Sequence, residues 1–100
     1  MKVEFYSSDN AVTETVITYI KDEIMKLHKQ YNNISRADIS FKQKKRQTGS
    51  EKMCEISLFI AGSSVDAKGI CKSFDHASKK AIALLNENVQ ASFRQKVHDL

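Results

Sequence analysis

The order of hydrophobic patterns along this sequence predicts an α+β domain, a two-layer β-α-β-β-β-α sandwich in which a four-stranded mixed sheet carries two helices on one face. Three observations predict it: four segments alternate apolar and polar residues, two longer segments repeat apolar residues every three or four positions, and polar or glycine-containing breaks separate them. At 100 residues the chain has room for a single hydrophobic core, so residues 1–100 read as one domain. Hydrophobic residues at 41% and charged residues at 28% match globular averages and exclude disordered, collagen-like and fibrous classes.

The first strand runs from Lys2 to Tyr6, with Val3 and Phe5 on one side and Lys2, Glu4 and Tyr6 on the other, and the polar stretch Ser7-Ser8-Asp9-Asn10 ends it. From Thr13 to about Tyr31 the residues Val16, Tyr19, Ile20, Ile24, Leu27 and Tyr31 form an apolar stripe uninterrupted by Pro or Gly, which is an amphipathic helix. Thr13 suits the N-cap, Glu14 the first turn, and Asn32-Asn33 a left-handed exit. In the second strand Ala37, Ile39 and Phe41 alternate with Arg36, Asp38, Ser40 and Lys42, and KKRQTGSE reads as a solvated hairpin loop turning at Gly49. The third strand sets Cys54, Ile56, Leu58 and Ile60 against Met53, Glu55, Ser57 and Phe59.

After a turn over Ala61–Ser64, the fourth strand sets Val65, Ala67, Gly69 and Cys71 against Asp66, Lys68, Ile70 and Lys72. Pairing across the first hairpin places Phe41 opposite Cys54, Ile39 opposite Ile56 and Ala37 opposite Leu58. Closing the second over Ala61–Ser64 places Ile60 opposite Val65, Leu58 opposite Ala67, Ile56 opposite Gly69 and Cys54 opposite Cys71. Ser73 caps a second helix from Phe74 to about Val97, whose inward stripe reads Phe74, Ala77, Ala81, Leu84, Leu85, Asn88 or Val89, and Phe93. Ala77 and Ala81 let this helix lie close to Ala67 and Gly69. The first helix is long enough for a right-handed crossover, so strands one and two are expected parallel and the others antiparallel.

Sixteen Lys and Arg against 12 Asp and Glu give a net charge of +4, a mild lean toward a polyanionic partner. No run approaches the ~20 apolar residues of a membrane span and the N-terminus lacks a signal-peptide core, so no membrane partner and a cytoplasmic location are expected. Two cysteines, Cys54 and Cys71, are too few for a disulfide scaffold and read as buried, inert thiols. His28, His76 and His98 supply no metal-ligating or nucleophilic set at recognisable spacing, and three glycines supply no phosphate loop. No catalytic residue, metal or cofactor is expected, and the protein does not read as an enzyme.

Cations gather in two places. Lys42, Lys44, Lys45, Arg46 and Lys52 surround the first hairpin loop, and Lys68, Lys72, Lys79 and Lys80 lie by strand four and the start of the second helix. Such clusters suit phosphates held by charge rather than bases read by shape of edge, although solvated surface is the plainer reading of each. Met53, Phe59 and Ile70 on the open sheet face offer a surface for a weak homodimer or a protein partner.

Three stretches resemble the short ribosome hibernation-promoting factors, also called sigma-54 modulation or ribosome-associated inhibitor proteins. These are Thr13-Glu14 through Val16, Tyr19-Ile20, Ile24 and Lys26-Leu27 to Tyr31, then Ala67-Lys68-Gly69, then Ser73-Phe74-Asp75-His76-Ala77. The resemblance implies a fold similar to a double-stranded-RNA-binding domain that docks on the small ribosomal subunit. It further implies occlusion of the mRNA and tRNA channel in stress or stationary phase, and a short form without the ribosome-pairing C-terminal domain. Family members commonly carry a basic run late in the second helix; here that segment reads Ala83-Leu84-Leu85-Asn86-Glu87-Asn88, and its nearest cations are Lys79, Lys80, Arg94 and Lys96. The expected function is therefore a translation inhibitor bound to ribosomal RNA. The alternative is a protein-interaction or homodimerising module for which RNA is irrelevant.

Overall fold

The computed structural model describes residues 1–7 and 12–98, without the side chains of Arg46 and residues 94–98. The turn expected at Ser8, Asp9 and Asn10, and the side chains of Arg46, Arg94, Lys96 and His98, lie outside the described residues. The order is β1 (Lys2–Ser7), α1 (Glu14–Gln30), β2 (Ile34–Arg46), β3 (Gly49–Ile60), β4 (Ser63–Cys71) and α2 (Phe74–His98). The strands form one sheet in the order β1-β2-β3-β4, with β1 parallel to β2 and the other pairs antiparallel. This is the expected α+β architecture.

One sheet face is apolar because every strand keeps its alternation in phase with its neighbours. Ala37, Ile39 and Phe41 pair with Leu58, Ile56 and Cys54, and the last three pair onward with Val65, Ala67 and Gly69. Val16, Ile20, Ile24 and Leu27 of α1 cover that face beside Phe74, Ala77, Ala81, Ile82, Leu85 and Val89 of α2, all of them buried. Phe74 meets Phe41 edge-on at 5.6 Å, and Tyr31 stacks on Phe93 at 4.5 Å where the helices meet. Thr13 caps α1 by accepting from the Val16 N–H at 3.3 Å, and Ser73 caps α2 by accepting from the His76 N–H at 3.2 Å.

The structure differs from expectation in four places. The first hairpin has no long loop: β2 and β3 stay paired to Arg46 and Gly49, so Gln47-Thr48 alone make the turn and a two-stranded arm extends beyond β4. The second hairpin turns on Ala61-Gly62, both with positive φ (48° and 84°), which is the geometry that fits the right-handed strand twist. Its register is therefore two residues from the expected one, with Leu58 opposite Val65, Ile56 opposite Ala67, Cys54 opposite Gly69 and Lys52 opposite Cys71. A shift of two leaves every side chain on its expected face. At the end of α1 no asparagine is left-handed; Tyr31 leaves in an extended conformation and donates its N–H to the Leu27 carbonyl at 2.8 Å. On α2, Leu84 is exposed, and Ser78 and Ile82 are buried instead.

Candidate nucleic-acid interface

The second sheet face is uncovered. Across it the rungs read Lys2-Arg36-Phe59-Ser64, Glu4-Asp38-Ser57-Asp66, Tyr6-Ser40-Glu55-Lys68 and Lys42-Met53-Ile70, with Lys44-Glu51 beyond. The last three rungs hold a depression of ≈ 550 Å³ lined by Lys42, Gln43, Lys44, Glu51, Met53, Lys68 and Ile70. Two shallower hollows share its walls: one of ≈ 520 Å³ continues past Ile70 to Cys71 and Lys72, and one of ≈ 450 Å³ continues past Lys42 to Tyr6 and Ser40. Together they make a trough across one end of the sheet, with Met53 and Ile70 as an apolar floor and lysines on the rim.

Strand parity decides which expected cations meet here. Lys42 and Lys44 on β2 and Lys68 on β4 share the open face, and Lys72 follows at the end of β4. Lys45 and Lys52 belong to the opposite parity and lie on the helix side of the sheet, where the Lys52 ammonium stands 5.2 Å from the centre of the Phe74 ring. Lys79 is on the solvent side of α2, paired with Asp75 at 3.5 Å, and Lys80 rises from α2 beside Gly69. The cluster around the first hairpin is thus divided between two faces. Among the described residues, Lys42, Lys44, Lys68 and Lys72 have no carboxylate within ion-pair distance, whereas Lys2, Lys26, Arg36 and Lys79 do. Sequence reasoning passed over Glu51, Gln43, Ser40 and Tyr6 as trough residues; extending the period-two pattern through KKRQTGSE would have found Glu51, whereas Gln43 has the parity of Lys45 and alternation gives no signal for it.

Elsewhere on the face, Arg36 is locked, donating to Asp38 Oδ1 at 2.7 Å and to the Tyr6 hydroxyl at 3.1 Å. Phe59 is six residues from Met53 along β3, about 20 Å at the rise of a strand, with the polar rungs of Ser57 and Glu55 between them. Cys54 is fully buried, and burial, eased by the neighbouring Ser78 hydroxyl, pushes its thiol up to about 11. Cys71 is half-buried rather than buried and lies diagonal to Cys54, not opposite it. Among the described residues no three His, Cys, Asp or Glu side chains converge as metal ligands, and no helix is long and apolar enough to cross a membrane.

Fold and face define a small two-layer α+β module that presents an open, lysine-rimmed sheet. The chain belongs to the sigma-54 modulation protein / S30EA ribosomal protein family, whose model matches residues 3–96. That is a family of ribosome-associated factors linked with ribosome hibernation and the regulation of translation. Its structure is similar to that of a ribosomal subunit interface protein from Coxiella burnetii, with a TM-score of 0.71 at 11% identity over 92% of this chain and 98% of that one. It is also similar to the N-terminal domain of Protein Y from Thermus thermophilus, with a TM-score of 0.57 at 13% identity over 87% of this chain and 98% of that one. At these identities the likeness establishes the fold. No curated protein matches the sequence.

Proposed function

We propose that this chain is a non-enzymatic, cytoplasmic factor that acts as a single domain over residues 1–100. It binds the small ribosomal subunit through ribosomal RNA phosphates, and by its bulk closes the mRNA and tRNA channel in stress or stationary phase. Family membership supports ribosome association. The observation that carries the RNA contact is the convergence of Lys42, Lys44, Lys68 and Lys72 on one trough, with no carboxylate among the described residues paired to them. An unpaired ammonium group keeps its full attraction for a phosphate and releases a counterion when it finds one, while a paired one must first give up its partner. The trough has no paired aromatic platform, which favours grip on a structured backbone over stacking of single-stranded bases.

A salt titration of binding to purified small subunits tests the reading. Four phosphate contacts give log K a slope of about −3 against log salt concentration. A flat dependence, or no binding at low salt, overturns it. Self-association through Phe59, Ile70 and Met53 of a single open face has less support, because Phe59 lies at the far end of that face from the other two.

A further inference from the structure

We infer that this protein forms a homodimer by pairing the free edge of β4 with β4 of a second copy, antiparallel about Ala67. The edge is open, and the phase of its hydrogen-bonding groups is fixed by one contact. The Asp66 carbonyl accepts from Asn88 Nδ2 at 2.8 Å, so it points away from β3. Because these groups alternate along an antiparallel strand, Ser64, Asp66, Lys68 and Ile70 all turn their N–H and C=O outward. Within β4 there is no proline and no register shift, two of the protections of an exposed edge; those it carries are the charges of Asp66 and Lys68 and the Asn88 side chain on the Asp66 carbonyl.

The sequence of the edge is complementary to itself in this one register. Pairing about Ala67 sets Asp66 opposite Lys68 of the second copy twice over, and Ser64 opposite Ile70 twice over, all as hydrogen-bonded pairs. Ala67 then faces itself at the axis as a close, non-hydrogen-bonded pair, where a small side chain is needed. On the open face the new rung reads Phe59 and Ser64 from one copy, then Ile70 and Met53 from the other. Phe59 and Ile70, exposed at 37% and 45%, thus meet over the small Ser64. They lie far apart in one chain and become neighbours only between two.

The helix layer fits the same axis. Asn88 of α2 stands beside Asp66, and Ala77 and Ala81 stand beside Gly69, so Leu84, midway between them, lies level with Ala67. Leu84 is on the Asn88 flank and 39% exposed, so it meets Leu84 of the second copy across the axis. On the same flank, Lys80 and Glu87 bracket Leu84, and antiparallel helices bring each Lys80 to the other copy's Glu87. Two helices about 10 Å apart over four strands spaced about 4.8 Å leave α2 about 2 Å inside β4, so the two α2 helices stand about 9 Å apart, within the normal packing distance.

Sedimentation equilibrium of the pure protein, with charge-reversed variants, tests the dimer. The wild type is expected to pass from monomer to dimer with rising concentration. Asp66→Lys alone and Lys68→Asp alone each set like charges opposite one another and remain monomeric there. The double variant regains the dimer, and a mixture of the two single variants forms a heterodimer. Asn88→Ala, which frees the Asp66 carbonyl in both copies, tightens the dimer about 25-fold, the factor two net hydrogen bonds are worth. A wild type monomeric up to ~1 mM, the weak limit of specific association, overturns the inference. So does a dimer that survives both single reversals, or single variants that are folded by circular dichroism and do not associate when mixed.

Discussion

Gly69 sets how closely α2 lies on the sheet. A methyl group there would overlap the Ala77 carbonyl oxygen and stand 2.7 Å from the Ala81 nitrogen and 2.9 Å from Lys80 Cβ. Two of these three are backbone atoms of a helix and yield only if α2 moves as a body. Gly69→Ala is therefore expected to cost about 3 kcal/mol, the upper end for overpacking, as a lowered urea midpoint with an unchanged slope. Ala77, Ala81 and Gly69 were legible in the sequence as a close contact because all three are small and their faces follow from periodicity. Leu84 was not, since it sits where the apolar stripe meets the solvent arc and either placement satisfies the pattern. Cys54 supplies a pH-dependent test. Its thiol titrates at about 11 in the folded protein against 9.0 for a free cysteine, so the folded state holds the proton more tightly. Its contribution is fully present below pH 9 and is lost as pH rises through 11. Stability measured by urea at pH 8 and pH 10.5 should fall less in Cys54→Ala than in the wild type. At pH 8 the half-buried Cys71 should react with a disulfide reagent well before Cys54 does.

At the scale of elements, the two hairpins show what alternation can and cannot specify. Ala61 holds a φ of 48°, a left-handed conformation unfavourable to a residue with a Cβ, whereas Gly62 at 84° takes it without strain. Ala61→Gly or Ala61→Asn is expected to stabilise the protein by about 0.5–1 kcal/mol, as the type I′ turn favours both residues, read as a raised thermal midpoint. The β2-β3 register was legible because a hairpin closed symmetrically over KKRQTGSE pairs Ala37, Ile39 and Phe41 with Leu58, Ile56 and Cys54, and the actual turn lies at the centre of that segment. For β3-β4 the same rule fixed the faces and left the turn length open. A four-residue turn over Ala61–Ser64 and the two-residue turn on Ala61-Gly62 both keep parity. The β2-β3 arm was misread for another reason: where a hairpin projects past the helices neither of its faces is buried, so strand residues such as Lys44 and Lys45 carry the composition of a loop.

For the whole molecule, the lysine trough and the β4 edge share residues, and that makes the two proposed associations exclusive. Lys68 and Ile70 line the trough on the open face and also stand in the seam of the proposed dimer. In the dimer Lys68 faces Asp66 of the second copy, so its ammonium no longer offers an unpaired charge to a phosphate, and Ile70 is covered by Phe59. The protomer that docks on RNA is then the monomer, with four cations, paired to no carboxylate among the described residues, at one end of a body 50 × 24 × 18 Å in extent. Alternation along β2 and β4 already placed Lys42, Lys68 and Ile70 on the open face, and Lys44 joined them only once the arm was known to be strand. Linkage gives the expected outcome: small ribosomal subunits added to a dimeric solution should draw off single chains, one per subunit, and dissolve the dimer. Asn88→Ala, which strengthens the edge pairing without touching a trough lysine, should weaken apparent subunit binding by about the square root of the factor by which it tightens the dimer, because each dimer yields two monomers. Lys44→Ala, outside the seam, should lower the salt slope of subunit binding by about 1 and leave the dimer unchanged. Co-sedimentation with quantified chain stoichiometry reads all three. Two chains carried per subunit at saturation would show that the dimer itself docks and that the trough and the edge act independently.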